Sequence, residues 1–197
     1  MTRWLTTREA TRLALLAACN GALELTLGSF LHATRFPMAG AVMVGLNLVV
    51  YTLAWVQVPR RGAILAVGLG TAFLNFSLSG AFKMMALPAL VLEAAFLDLL
   101  LSRVGLGRSG LVLAGMASSL LSLAWGLATA TLVFGLGPVV ALERLVQADF
   151  AVRLSAWGLL VLLVGARVLV GGLFGLLAWR VLGLVDPALQ PAEAPRR

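Results

Sequence analysis

Cysteine and histidine occur once each in this 197-residue chain, at Cys19 and His32, lysine occurs once, at Lys83, and charged residues make up only 12% of it. One cysteine excludes a disulfide framework. One cysteine with one histidine argues against a multi-ligand metal site. So little charge excludes an ordinary soluble domain. There is no His-Glu-x-x-His, no phosphate-binding glycine loop and no paired-aspartate metal motif. Those gaps leave nothing to hold a nucleotide or a cofactor, so any active transport takes its energy from a partner.

What is present is apolar. Hydrophobic residues account for 61% of the chain and the mean hydropathy is +1.01, as in an integral membrane protein. The formal charge of +7 does not indicate nucleic acid, because the basic residues are spread thinly between apolar stretches. The pattern predicts an all-α fold, a six-transmembrane-helix bundle in one domain over 1–185. A polar tail over 186–197 carries Pro187, Pro191 and Pro195 and reads as disordered. The expected spans run Arg8–Leu31, Ala39–Val56, Gly62–Gly80, Ala86–Ser102, Ser109–Phe134 and Leu154–Leu182. Helix breakers with charge or glycine separate them at Phe36-Pro37-Met38-Ala39-Gly40, Pro59-Arg60-Arg61-Gly62 and Gly105-Leu106-Gly107-Arg108.

Between these spans, one side collects Arg3, Arg8, Arg12, Arg60, Arg61, Arg103, Arg108, Arg180, Arg196 and Arg197, and the other only Arg35, Lys83, Arg144 and Arg153. That asymmetry predicts both termini in the cytoplasm. The run from Val139 to Phe150 is amphipathic at helical period and is expected to lie flat on the outer surface. Leu16-Ala17-Ala18-Cys19 resembles a lipoprotein cleavage box. Cutting there would remove half of the first span, so an ordinary span is the preferred reading.

The first span carries two signals. Ala10, Ala14, Ala18 and Ala22 recur every four residues as a flat stripe of small side chains. Asn20 and Glu24 fall on another side, and a carboxylate inside an apolar span marks a functional site by default. Further along, Glu93 and Arg167 sit near the centres of their spans, and their matching depth suggests an ion pair, for helix register or for a ligand. Asp98 lies closer to the cytoplasmic end and is expected to snorkel or to pair with Arg103. Ser118, Ser122, Trp125 and Thr129 share a helix face, where hydroxyls can back-bond to carbonyls or flank an indole that stacks on a planar ligand. Asn47, Tyr51 and Asn75 add polar groups in the second and third spans. The set expected to bind a small solute is Asn20, Glu24, Asn75, Lys83, Glu93, Ser122, Trp125, Thr129, Trp157 and Arg167, around a cavity open to the outside. Gly171-x-x-x-Gly175 reads as a close helix contact.

Six short spans, termini inside, and the alanine stripe resemble the substrate-binding S component of energy-coupling factor (ECF) transporters. The stretch that carries the resemblance runs from Ala14 through Asn20-Gly21-Ala22-Leu23-Glu24-Leu25 and Leu27-Gly28-Ser29-Phe30-Leu31-His32 to Phe36-Pro37-Met38-Ala39-Gly40. The resemblance implies a vitamin or related micronutrient bound near the outer face. It implies a transmembrane coupling protein docked on Ala10, Ala14 and Ala18, and two ATPase subunits that drive transport across a bacterial or archaeal cell membrane. The segment from about Ala33 to Gly40 would help close the site. Ala22, further out, reads as packing rather than docking. Nickel and cobalt S components use an N-terminal histidine, and this chain begins Met1-Thr2-Arg3, which argues against those metals. Deep carboxylates with Trp125 suit a planar, partly cationic ligand such as a pyrimidine or thiamine precursor. A membrane assembly protein without solute binding, or an intramembrane enzyme, are the alternatives. A rhomboid-like protease would need Gly-x-Ser-Gly and a histidine in a later span. Here the nearest string is Ser77-Leu78-Ser79-Gly80, and His32 ends the first span.

Overall fold

The computed structural model describes residues 5–34, 36, 38–79, 86–135, 137, 140 and 156–185. Six helices run through them: α1 Thr7–Ala33, α2 Ala39–Gln57, α3 Ala63–Ser79, α4 Ala86–Val104, α5 Arg108–Phe134 and α6 Ala156–Val185. The expected surface helix over Val139–Phe150, apart from Val140, and the tail lie outside the described residues.

The start of α1 follows from a capping box. The Thr6 backbone N–H donates to Glu9 Oε2 at 2.8 Å, and the Glu9 N–H donates to Thr6 Oγ1 at 3.3 Å. Glu9 also meets Arg60 at 3.1 Å, tying the first turn of α1 to the α2–α3 turn. Arg108 lies 5.6 Å from the ring centre of Trp179 at the same end. Towards its other end α1 changes winding: Glu24–Gly28 forms a π-helical turn. Such a turn inserts one extra residue and re-aims the side chains beyond it.

Six spans are too many. Four helical stretches are long and apolar enough to cross a bilayer: Thr7–Ala33, Ala39–Gln57, Arg108–Thr129 and Leu160–Val185. α3 has 17 residues, which at 1.5 Å per residue falls short of the roughly 30 Å hydrocarbon core. α4 is long enough at 19 residues but carries Glu93, Asp98 and Arg103. Hydropathy alone merges such helices with true spans, because α3 is apolar but short and the charges of α4 are outnumbered by its apolar residues.

Asp98 is the clearest case. It neither snorkels nor pairs with Arg103. Its carboxylate accepts the backbone N–H of Gly62 at 2.8 Å and of Ile64 at 3.1 Å. It thereby caps the start of α3 from a different helix, satisfying donors that a helix N-terminus cannot satisfy itself. Gly62 supplies the left-handed backbone (φ +91°) that turns the chain there. Asp98→Ala is expected to cost about 2–3 kcal/mol, and Asp98→Asn, which keeps one acceptor, clearly less. Chemical unfolding in detergent measures both.

The core runs through Leu13, Ala17, Leu48, Tyr51, Ile64, Val67, Ala94, Leu97, Leu111 and Leu182, drawn from all six helices. The α5–α6 pair is the closest. A Cβ on Gly171 would strike the Gly115 backbone, and one on Gly175 would strike the backbone of Leu111 and Val112. The expected Gly-x-x-x-Gly contact is therefore real, and its partner is α5. On α1, Leu13, Ala17, Asn20 and Gly21 are buried, while Ala10, Ala14, Ala18 and Ala22 are all exposed. The two faces separate as the four-residue spacing predicted, although Ala22 does not pack.

Candidate functional site

Polar side chains from α1, α2, α3 and α4 meet inside the bundle. The Asn47 amide on α2 donates to Glu24 Oε1 at 2.9 Å and also lies beside Glu93 of α4. Glu24, at the head of the π turn, is the charged neighbour of Glu93. One amide thus stands between two carboxylates. Tyr51, one turn below Asn47 on α2, is fully buried with Glu93, Glu24 and the Asn20 amide around it. Its hydroxyl reaches the gap left by Gly68, where α3 comes against Ala94.

A second group of hydrogen bonds joins α1 to α3. The Asn20 amide donates to Thr71 Oγ1 at 3.4 Å, and the Thr71 hydroxyl donates to the Ala17 carbonyl at 3.3 Å. Asn75 donates back to the Thr71 carbonyl at 3.1 Å. In both Asn20 and Asn47 the amide nitrogen is used. Their Oδ1 atoms, together with Tyr51 Oη and Glu93 Oε1, are buried without a hydrogen-bond partner among the described residues. Buried polar atoms normally find partners, so four unsatisfied oxygens in one region are a structural signal in themselves.

Glu93 is also the inner wall of a cleft between α4 and α5. Ala89, Leu92, Glu93, Leu121, Ser122 and Trp125 line it, around about 240 Å³ of empty space that includes its open mouth. Here a carboxylate, a hydroxyl and an indole face one space, as the helical spacing of Ser122 and Trp125 suggested. Ser118 does not join them: its hydroxyl donates to the Ala114 carbonyl at 2.6 Å, the back-bonding of a packed helix. Thr129 is half-buried further along α5.

The ion pair expected between Glu93 and Arg167 is not formed. The groups around Glu93 include Glu24, Asn47 and Tyr51, and not Arg167. Arg167, though buried, lays its guanidinium against Gly40 at the start of α2. Equal depth was a poor guide because it ignores the direction in which each helix presents its side chain. Lys83 and the side chain of Trp157 lie outside the described residues.

The structure therefore brings Asn20, Glu24 and Glu93 together in the interior, and Glu93, Ser122 and Trp125 in the cleft. Asn47 and Tyr51, read from sequence only as added polarity, are central. Thr71, which holds both Asn20 and Asn75, was overlooked, although its four-residue spacing from Asn75 is visible in the sequence. No family model, curated protein or solved structure matches this chain.

Proposed function

We propose that this membrane protein is the solute-binding subunit of an importer of the energy-coupling factor kind, and that it takes up a vitamin-like micronutrient. The observation that carries this reading is Glu93. It is a buried carboxylate on the shared wall of an interior polar cluster and a cleft lined by Ser122 and Trp125. A carboxylate buried in an apolar bundle costs free energy unless something compensates it. Packing alone gives no return for that cost, whereas a ligand does. Trp125 offers a stacking surface to a planar ring, such as a pyrimidine or a thiamine precursor, and Ser122 a hydroxyl.

The same reading gives the exposed alanine face of α1 a use. Ala10, Ala14 and Ala18 offer the close approach that a transmembrane coupling protein needs, and two ATPase subunits would complete the complex. The arginine-rich end, with Arg8, Arg12, Arg60, Arg61, Arg103, Arg108 and Arg180, would face the cytoplasm of a bacterial or archaeal cell.

Extraction of the purified protein followed by mass spectrometry should show a small molecule in near-equal amount. Trp125→Ala should lower its retention at least 10-fold with an unchanged gel-filtration profile. Ala14→Trp should abolish co-purification of a co-expressed coupling protein and ATPase pair while solute retention persists. A protein that retains nothing, from a host that supplies the full range of vitamins, would remove the solute-binding reading in favour of an assembly role.

A further inference from the structure

The arginine-rich end of the bundle divides into two parts that differ in compensation. In one, Glu9 of α1 meets Arg60 of the α2–α3 turn at 3.1 Å. Two residues on, Gly62 is held by Asp98 of α4. Both acids are engaged there, Glu9 in its capping box and ion pair, Asp98 at the start of α3. The other part is made by the ends of α4, α5 and α6. Residues 99–113 and 176–185 contain Arg103, Arg108 and Arg180 and not one aspartate or glutamate. All three arginines are exposed, and none forms an ion pair among the described residues.

The fold draws these three together. The α4–α5 turn is tight, since a Cβ on Gly110 would strike the Gly105 carbonyl, so the end of α4 with Arg103 returns directly into Arg108. Arg108 in turn lies 5.6 Å from the ring centre of Trp179, the residue before Arg180 on α6. Like charges gathered this way repel one another, and an anion relieves that repulsion. The guanidinium fork fits one anion geometry best, the paired oxygens of a phosphate or carboxylate.

Hydrocarbon lies immediately below the charge. One turn inward from Arg103 on the same helix face is Leu99, 54% exposed, and one turn inward from Arg180 is Leu177, 42% exposed. Trp179 sits between the two levels, the place of an amphipathic ring at a membrane interface. Exposed arginine over exposed leucine matches a molecule with an anionic head and an apolar tail. A free phosphate would use the charge and leave the leucines bare.

We infer that Arg103, Arg108 and Arg180 form a binding site for the phosphate of an anionic phospholipid, whose acyl chains run along Leu99 and Leu177. One headgroup there links the ends of α4, α5 and α6. Two of these, α4 and α5, wall the Ser122–Trp125 cleft, so a lipid at this end steadies the pair that forms it. The inference rests on the arginines and stands whether or not a solute occupies the cleft.

The test uses the full chain in detergent micelles that contain phosphatidylcholine. Phosphatidylglycerol replaces the phosphatidylcholine stepwise at constant total lipid and ionic strength, and melting is followed by tryptophan fluorescence. A saturable rise in melting temperature, of roughly 5 °C at full occupancy, is expected. Arg108→Gln should raise the half-saturating phosphatidylglycerol fraction about fivefold, the effect of one arginine near an anionic surface. Replacing Arg103, Arg108 and Arg180 together by glutamine should abolish the saturable rise. Arg8→Gln combined with Arg12→Gln removes charge at the same end of the bundle but on α1, and should leave the midpoint unchanged. Identical melting in both lipids would overturn the site. So would an equal loss in the α1 variant, which would mean diffuse charge, or a rise reproduced by inorganic phosphate without phosphatidylglycerol, which would mean a free anion.

Discussion

Gly175→Ala is expected to destabilise the bundle by more than about 3 kcal/mol, at the upper end of what overpacking costs. The atoms that a Cβ would meet there are the backbone of Leu111 and Val112, at separations down to 2.4 Å. A flexible side chain could swing aside; a helix backbone cannot. The α5–α6 axes would have to move apart, and the contact between Gly171 and Gly115 would open with them. In a bilayer no hydrophobic drive rewards regrouping, so close packing is most of what holds these two helices together. Gly165→Ala is the internal control. It is the same substitution earlier on α6, at an exposed position where an added Cβ meets nothing within 4 Å. It should be neutral, or stabilising by up to about 1 kcal/mol through helix propensity. Unfolding of the two variants side by side in detergent gives the comparison. Equal effects would mean that the glycines serve flexibility rather than contact.

The contrast between these glycines also shows what a sequence carries. Gly171 and Gly175 are legible because small-xxx-small spacing has one dominant use in a membrane helix. Periodicity likewise separated the two faces of α1, burying Asn20 and exposing Ala14, since rotation by 100° per residue is fixed by the backbone. Ser122 and Trp125 meet in one cleft for the same reason. What periodicity cannot give is direction between helices. Glu93 and Arg167 share a depth but not a partner, and Asp98 reaches backbone donors on α3, a contact that leaves no pattern along the chain. The span count failed for a related reason. A short helix can be as apolar as a spanning one, and only length and the number of charges tell α3 and α4 from true spans. The π turn at Glu24–Gly28 likewise has no residue signature of its own.

Glu93→Leu is expected to raise stability while destroying solute retention, and that opposition would mark the residue as functional rather than structural. Its carboxylate is buried beside another carboxylate, with Oε1 unsatisfied among the described residues. Replacing a buried ionic group by a packed apolar one is often neutral or stabilising by about 1–4 kcal/mol. Leucine fits a setting already made of Ala89, Leu92 and Leu121. Asn47→Leu should act in the opposite sense. It removes the donor to Glu24 Oε1 and the neutral group between the two carboxylates, and a cost of about 3 kcal/mol is expected for leaving a charged acceptor without that donor. Combining the two substitutions should recover part of that loss, because with Glu93 gone there is one carboxylate fewer to keep apart. The recovery appears as a coupling energy in a double-mutant cycle. Unfolding in detergent reads the stabilities, and mass spectrometry of extracted solute reads the function. If Glu93→Leu proves as damaging to stability as Asn47→Leu, Glu93 is a structural member of the network. If instead it stabilises the protein and empties it, the chain carries a destabilising carboxylate for what that carboxylate binds.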